Sequence, residues 1–93
     1  MNQSFNKALY LLDKGEYEKG EGMIKKAILE SVDDLYDLVE IKTCYADLLY
    51  HMNRLDESLL LIEEVLATGD EYSFCDEKEM AEELKHMILE EIE

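Results

Sequence analysis

Three side chains near the C-terminal end of the chain have the types and the spacing of a metal site. Glu82, His86 and Glu90 stand four positions apart, so on a helix they share one face and present ligands that a divalent metal accepts. Glu83 and His86 also form a Glu-x-x-His pair, a motif that di-iron helical bundles use twice, with two further carboxylates. The sequence contains this motif once. We therefore interpret this face as solvated, with an intrahelical Glu–His contact, and we expect no metal and no cofactor.

Other candidate catalytic groups are equally isolated in the sequence. Asp47 and His51 lie one helical turn apart, a spacing more typical of a surface pair than of a base and its orienting group. The two cysteines, Cys44 and Cys75, stand 31 positions apart and form no Cys-x-x-Cys motif. We therefore expect a non-catalytic protein, and a metal-dependent helical-bundle enzyme is the weakest alternative.

The elements that must position these side chains are helices. The chain has 93 residues, 47% of them apolar, and no proline, and apolar residues recur at three- and four-residue steps. These features predict an all-α fold of five antiparallel helices in a single domain, joined by short turns. The predicted parts are a first hairpin over residues 2–31, a second hairpin over 32–68 and a C-terminal capping helix over 76–93.

Turn signals place the helix ends. Gly15 ends the first helix, and Ser31 with Asp34 forms a capping pair at the start of the third. Asn53, which tolerates the left-handed conformation, ends the third helix, and Gly69 ends the fourth. We expect residues 70–75 to form a loop, with Asp76 starting the fifth helix.

The two hairpins show an internal correspondence at an offset of 38 residues. The turn Gly15-Glu16-Tyr17-Glu18-Lys19-Gly20 aligns with Asn53-Arg54-Leu55-Asp56-Glu57-Ser58. At the same offset Ala8 falls on Ala46, Gly20 on Ser58, and Ile24 on Ile62. Small residues thus align with small ones, as expected where two helices cross closely.

This pattern resembles the tetratricopeptide repeat, a helix-turn-helix unit with a Gly-Asp-Tyr-Asp-Glu-Ala type of turn and a small residue in each helix at the crossing. The resemblance covers residues 2–67 and departs from the family at Ser4, Lys7 and Val32, and in a spacing longer than the family's, which is about 34 residues. A plain helical bundle is the alternative. The resemblance implies a stack of helical hairpins whose first helices line a concave groove that binds another protein.

Residue by residue, the resemblance implies groove positions in three helices. In the first helix they are Phe5, Leu9, Leu12 and Asp13. In the third they are Thr43, Asp47, Tyr50 and His51, and in the fifth Ala81, Lys85, Ile88 and Leu89. Each aliphatic in these sets is equally consistent with a core position, whereas Tyr50 and His51 are less expected in a core.

Net charge is placed unevenly along the chain. The chain carries a formal charge of -15, which excludes a direct nucleic-acid binder because phosphates are neutralised by clustered Lys and Arg. Residues 1–31 hold five basic and five acidic residues, whereas residues 32–93 hold four basic and nineteen acidic ones. Concentrated charge of one sign speeds capture of an oppositely charged partner. The acidic residues that we expect to bind such a partner are Asp33, Asp34, Asp37, Glu82 and Glu83.

These observations predict a protein-interaction module that binds a basic protein or peptide through an acidic helical surface or through the groove. One form is an inhibitor of a basic toxin or nuclease, such as an immunity protein or antitoxin. The alternative is an adaptor or assembly-chaperone subunit of a larger complex. Apolar ends of the helical stack also favour a homodimer. The sequence shows no membrane span and no secretory signal, and its isolated thiols fit a reducing compartment, so we expect a cytoplasmic protein.

Overall fold

The structure is a computed structural model that describes residues 2–68 and 75–92. The described residues form five α-helices and no strand, which confirms the all-α prediction. The helices are α1 (Gln3–Asp13), α2 (Tyr17–Glu30), α3 (Leu35–His51), α4 (Leu55–Leu66) and α5 (Cys75–Ile92). Helix α5 begins one residue before the predicted start at Asp76. Cys75, predicted to lie in the loop, is therefore helical, whereas residues 70–74 of that loop, and Gly69 as the end of the fourth helix, lie outside the described residues.

The chain divides into two compact units, residues 1–41 and residues 42–93. The division falls inside α3, ten residues beyond the predicted hairpin boundary, because the first seven residues of α3 belong to the first unit. In the first unit α1 packs against α2, and in the second α4 packs against α5. None of the described helices is long and apolar enough to cross a membrane.

The turn between α1 and α2 is closed by a left-handed glycine. Gly15 has φ +79°, a conformation that costs a residue without Cβ very little. Its N–H donates to the carbonyl of Leu12 at 3.0 Å, and the N–H of Glu16 donates to the carbonyl of Leu11 at 2.9 Å. These are the two hydrogen bonds of a Schellman motif, which satisfies the last carbonyls of α1.

The turn between α3 and α4 has the same hydrogen bonds 38 residues later. Asn53 is the one described non-glycine residue with positive φ, at 60°, which confirms its predicted role at the end of α3. Its N–H donates to the carbonyl of Tyr50 at 3.0 Å, and the N–H of Arg54 donates to that of Leu49 at 2.9 Å. Two turns of different sequence therefore adopt one backbone conformation.

In the first unit the two helices approach each other closely at Gly20. A Cβ built on Gly20 would lie 2.6 Å from Leu12 Cδ2, 2.9 Å from Leu12 Cγ and 3.5 Å from the carbonyl oxygen of Ala8. Ala8 is fully buried at this crossing. The absence of a side chain at Gly20 therefore leaves the space in which the Leu12 side chain of α1 packs against α2.

The corresponding contact in the second unit uses a serine. Ser58 on α4 is fully buried, and its hydroxyl donates to the carbonyl oxygen of Ala46 on α3 at 2.7 Å. Ser58 and Ala46 are the residues that align with Gly20 and Ala8. A small residue thus faces the same backbone position in both hairpins, and in the second a hydrogen bond satisfies the buried hydroxyl of Ser58.

The start of α3 differs from the predicted capping pair. Asp34 caps the helix as expected, because its Oδ1 accepts from the N–H of Asp37 at 3.1 Å. Ser31 instead ends α2, since its N–H donates to the carbonyl of Ile28 at 3.1 Å. Its buried hydroxyl accepts from Asn2 Nδ2 at 2.8 Å, so this side chain is bonded to the beginning of α1 and does not cap α3.

Asn2 fastens the beginning of α1 to the end of α2. Its Oδ1 accepts from the N–H of Phe5 at 3.0 Å and so caps α1. Its Nδ2 donates both to the Ser31 hydroxyl and to the carbonyl of Ala27, at 3.1 Å. One amide therefore serves as helix cap and as a bridge between two helices.

We predict opposite effects of adding a methyl group at two glycines of α2. Gly22 has nothing within 4 Å of its missing Cβ, so Gly22→Ala should raise the free energy of unfolding by about 1 kcal/mol through helix propensity. Gly20→Ala should lower it by about 1 kcal/mol, because an overpacking cost of about 1–3 kcal/mol exceeds the same gain. Urea unfolding of both variants measures the difference. Equal stabilisation would contradict the close approach.

Candidate partner-binding site

A groove in the first unit combines apolar and acidic side chains. It lies between α1 and the first two turns of α3 and has a volume of ≈ 250 Å³. We call it the α1–α3 groove, and its lining residues are Asn2, Phe5, Asn6, Leu9, Asp37, Glu40 and Ile41. None of these lining residues is basic.

Helical spacing explains how this lining is assembled. Phe5 and Leu9 are four positions apart on α1, and Asp37, Glu40 and Ile41 step by three and four on α3, so each set shares one helix face. Phe5 and Ile41 are buried and form the floor, whereas Leu9 is 43% exposed. Asp37 is half-buried and Glu40 exposed, which places carboxylates at the rim. The groove therefore offers an apolar contact beside negative charge.

A second, polar cleft of ≈ 480 Å³ adjoins the groove. The two share Asn2 and Asp37. The other residues that line this polar cleft are Gln3, Ser4, Lys26, Glu30, Ser31 and Asp34. Asp33 and Asp34 are both exposed in the turn before α3. Negative charge therefore continues from the rim of the groove into this turn, with Lys26 as the one cation of the cleft lining.

The predicted residues of α1 do not all face the groove. Phe5 and Leu9 line it. Leu12 is half-buried, and its side chain lies against Gly20 of α2, where it contributes to packing within the hairpin. Thr43, which aligns with Phe5, is 5% exposed, so little of it is accessible to a partner.

The predicted residues at the end of α3 form contacts within the second unit. His51 Nδ1 lies 3.9 Å from Asp47 Oδ1, one turn earlier. The Tyr50 and His51 rings pack edge to face, with centroids 5.6 Å apart. The Tyr50 hydroxyl donates to Glu91 Oε1 on α5 at 3.3 Å. Tyr50 thus joins α3 to α5 instead of projecting freely from a groove.

The environment of Tyr50 raises the pKa of its phenol. Desolvation is the largest cause, followed by the charge of Glu91, the hydrogen bond to it, and the charge of Glu90. Each of these disfavours the phenolate. Since folding then favours the protonated form, this contribution to stability is present at neutral pH and is lost as the pH rises above about 10, the ordinary tyrosine pKa.

Acidic residues outnumber basic ones in the second unit, and each of its four basic groups is bonded within the unit. Lys42 pairs with Glu64 at 3.3 Å and Lys85 with Glu63 at 2.9 Å. Arg54 pairs with Glu57, and Lys78 Nζ donates to the carbonyl of Thr68. Glu82 and Glu83 are exposed, whereas Lys85 is half-buried in its pair. A basic partner that approaches this unit therefore meets a net negative charge.

Two of the α5 residues that the resemblance implies for a groove lie in the core. Ala81 and Ile88 are each 1% exposed, and Leu84 lies with them on one face. Leu89 is exposed beside Leu66 and Lys85. His86 Nε2 lies 3.1 Å from Glu90 Oε1, but no three metal-binding side chains converge among residues 2–68 and 75–92.

Sequence reasoning missed four residues of the groove, namely Asn2, Asn6, Glu40 and Ile41. Glu40 and Ile41 do follow Asp37 at helical spacing, which was the available signal. The spacing does not show that this face of α3 meets the Phe5 face of α1, since that depends on how the helices pack.

No family model matches the chain, and neither the curated proteins nor the solved structures give a match. We therefore infer the function from the residues of the chain.

We predict that Tyr50 titrates above an ordinary tyrosine. The difference between the ultraviolet pH titrations of the wild type and Tyr50→Phe isolates this phenol, whose midpoint should exceed about 10. Glu91→Gln should lower the midpoint because it removes the acceptor charge, whereas Glu83→Gln, on the same helix, should leave it nearly unchanged. A midpoint that Glu91→Gln does not move would contradict the Tyr50–Glu91 contact.

Proposed function

We propose that this chain is a non-catalytic protein-binding module that takes a basic segment of a partner protein into the α1–α3 groove. The observation that carries the proposal is the lining of the groove, where the exposed Leu9 lies beside Asp37 and Glu40 with no basic residue. An apolar residue of the partner would cover Leu9, and flanking Lys or Arg side chains would pair with the two carboxylates.

The two kinds of contact have different roles in this proposal. Burial of apolar surface supplies most of the affinity, at roughly 25 cal/mol per Å². Ion pairs at an exposed rim contribute about 0–1 kcal/mol each, so they act mainly on the association rate and on specificity. Acidic residues of the turn before α3 extend the field that attracts a basic partner to the groove, and those of α5 add to the net negative charge of the chain.

We further propose that the two hairpins are divergent tetratricopeptide-like units. Support comes from the equivalent hydrogen bonds that close both turns and from the small residue that meets the same backbone position in each hairpin. Aligned positions also have similar exposure. Phe5 and Thr43 are 8% and 5% exposed, and Ala8 and Ala46 are 0% and 1% exposed.

Two biological roles fit such a module. As an inhibitor, for example an immunity protein or antitoxin, the chain would occlude the basic active surface of a toxin or nuclease with its carboxylates. As an adaptor, it would hold a basic segment without affecting activity. The activity of the basic partner distinguishes the two roles. An inhibitor abolishes that activity at a stoichiometric ratio, and an adaptor leaves it intact.

We predict that a synthetic amphipathic helix, with leucine on one face and arginine on its flanks, binds the chain more tightly at low salt. Asp37→Asn with Glu40→Gln should weaken binding about tenfold, since each exposed pair contributes up to about 1 kcal/mol. Leu9→Ser should weaken it without changing its salt dependence. Fluorescence anisotropy of the labelled peptide measures all three effects.

The matched control is Glu16→Gln with Glu18→Gln, which removes the same charge from the first unit outside the groove. A peptide of the same residues in an order without an apolar face controls for charge alone. Removing the charges of Asp33 and Asp34 should also weaken peptide binding more than removing those of Glu16 and Glu18. Equal losses for the groove and control pairs would assign the carboxylates to solubility and overturn the proposed site.

A further inference from the structure

An exposed stripe on α1 alternates lysines with a polar and an aromatic residue. The residues step by four, three and four positions and are Gln3, Lys7, Tyr10 and Lys14. The first three lie on one side of α1, Lys14 is its C-cap residue, and all four are exposed. Tyr10 is 61% exposed, and Lys14 Nζ lies 5.4 Å from the centroid of its ring. Neither lysine forms an ion pair with a described residue. We call these four residues the α1 stripe.

An exposed stripe on α5 alternates methionines with glutamates. Met80, Glu83, Met87 and Glu90 step by three, four and three positions, and all are exposed. They stand apart from the buried residues of α5, which are Ala81, Leu84 and Ile88. Glu83 pairs with no described cation, and Glu90 lies 3.1 Å from His86. We call these four residues the α5 stripe.

The two stripes match in both charge and spacing. Lys7 and Lys14 are seven positions apart with Tyr10 between them, and Glu83 and Glu90 are seven positions apart with Met87 between them. Seven residues are two helical turns, a rise of about 10 Å. Two helices laid side by side therefore bring each lysine opposite a glutamate, as flanking charges do in coiled coils. Tyr10 then meets Met87, and sulfur–aromatic contacts are favourable.

We propose that the α1 stripe of one copy of the chain docks on the α5 stripe of a second copy. The charge complementarity selects this occupant, since two α5 stripes repel each other and so do two α1 stripes. The contact joins two different surfaces. It produces a two-fold dimer if it forms twice between the same two copies, and a ring or an open chain of subunits if it forms once between each pair. No residue of either stripe lines the α1–α3 groove, so the inference stands independently of the proposed function.

Sedimentation velocity of the intact chain across a range of concentrations tests this contact. One helix against one helix makes a small interface, so association is expected at high concentration and should weaken as salt is added. Lys7→Glu with Lys14→Glu, and separately Glu83→Lys with Glu90→Lys, should each raise the concentration for half-association at least about tenfold. Lys25→Glu with Lys26→Glu makes the same charge change on α2 and should have a much smaller effect.

The two charge-reversed variants together provide the decisive comparison. Each alone carries two stripes of like charge, whereas their mixture again contains stripes of opposite charge. A mixture that associates like the wild type supports docking of the α1 stripe of one copy on the α5 stripe of another. The proposal is overturned if the wild type stays monomeric, if either variant associates as the wild type does, or if the mixture fails to associate. Circular dichroism confirms that all variants remain helical.

Discussion

The approach of paired helices at a small residue is the contact on which the rest of the structure depends. In the first hairpin Gly20 leaves no room for a Cβ beside Leu12, and in the second the hydroxyl of Ser58 bonds the carbonyl of Ala46. The turn five residues earlier prepares each contact, because a left-handed residue reverses the chain while hydrogen bonds close the end of the helix. Turn and small residue together fix how the second helix of each hairpin lies against the first.

The groove in the first unit follows from this constraint. Helix α1 is held to α2 at one end by the Asn2 amide and near the other by the contact at Gly20. With both ends held, the Phe5 and Leu9 side of α1 lies beside α3, whose start is fixed by the Asp34 cap. The contacts of Asn2, Gly20 and Asp34 thereby bring the apolar floor and the acidic rim of the groove together. Preorganised surfaces of this kind lose less freedom on binding.

The sequence was sufficient to predict what local patterns determine. The helices were predictable from apolar spacing, Asn53 from its tolerance of positive φ, and the small crossing residues from the 38-residue offset. What depends on packing was not. Ser31 was assigned to α3 because its spacing from Asp34 fits a capping motif, whereas the structure shows it bonded to Asn2, 29 residues away. Leu12 illustrates the same limit, since helical spacing does not tell whether a leucine faces its hairpin partner or a groove.

The charge of the chain has a structural meaning beyond solubility. Each basic side chain of the second unit is bonded within that unit, so carboxylates remain in excess on its surface. In the first unit Asp37 and Glu40 line the groove, and Asp33 and Asp34 lie in the turn before α3. Negative charge thus lies where apolar surface is also exposed, an arrangement suited to amphipathic cationic segments.

The most direct test of this account is a nuclear magnetic resonance titration of the isotope-labelled chain with an amphipathic, arginine-bearing helical peptide. The account predicts that the methyl signals of Leu9 and Ile41 and the amide signals of Asp37 and Glu40 shift together and saturate at one peptide per chain. Shifts confined to α5, or spread evenly over all the acidic residues without affecting the Leu9 methyl groups, would contradict it.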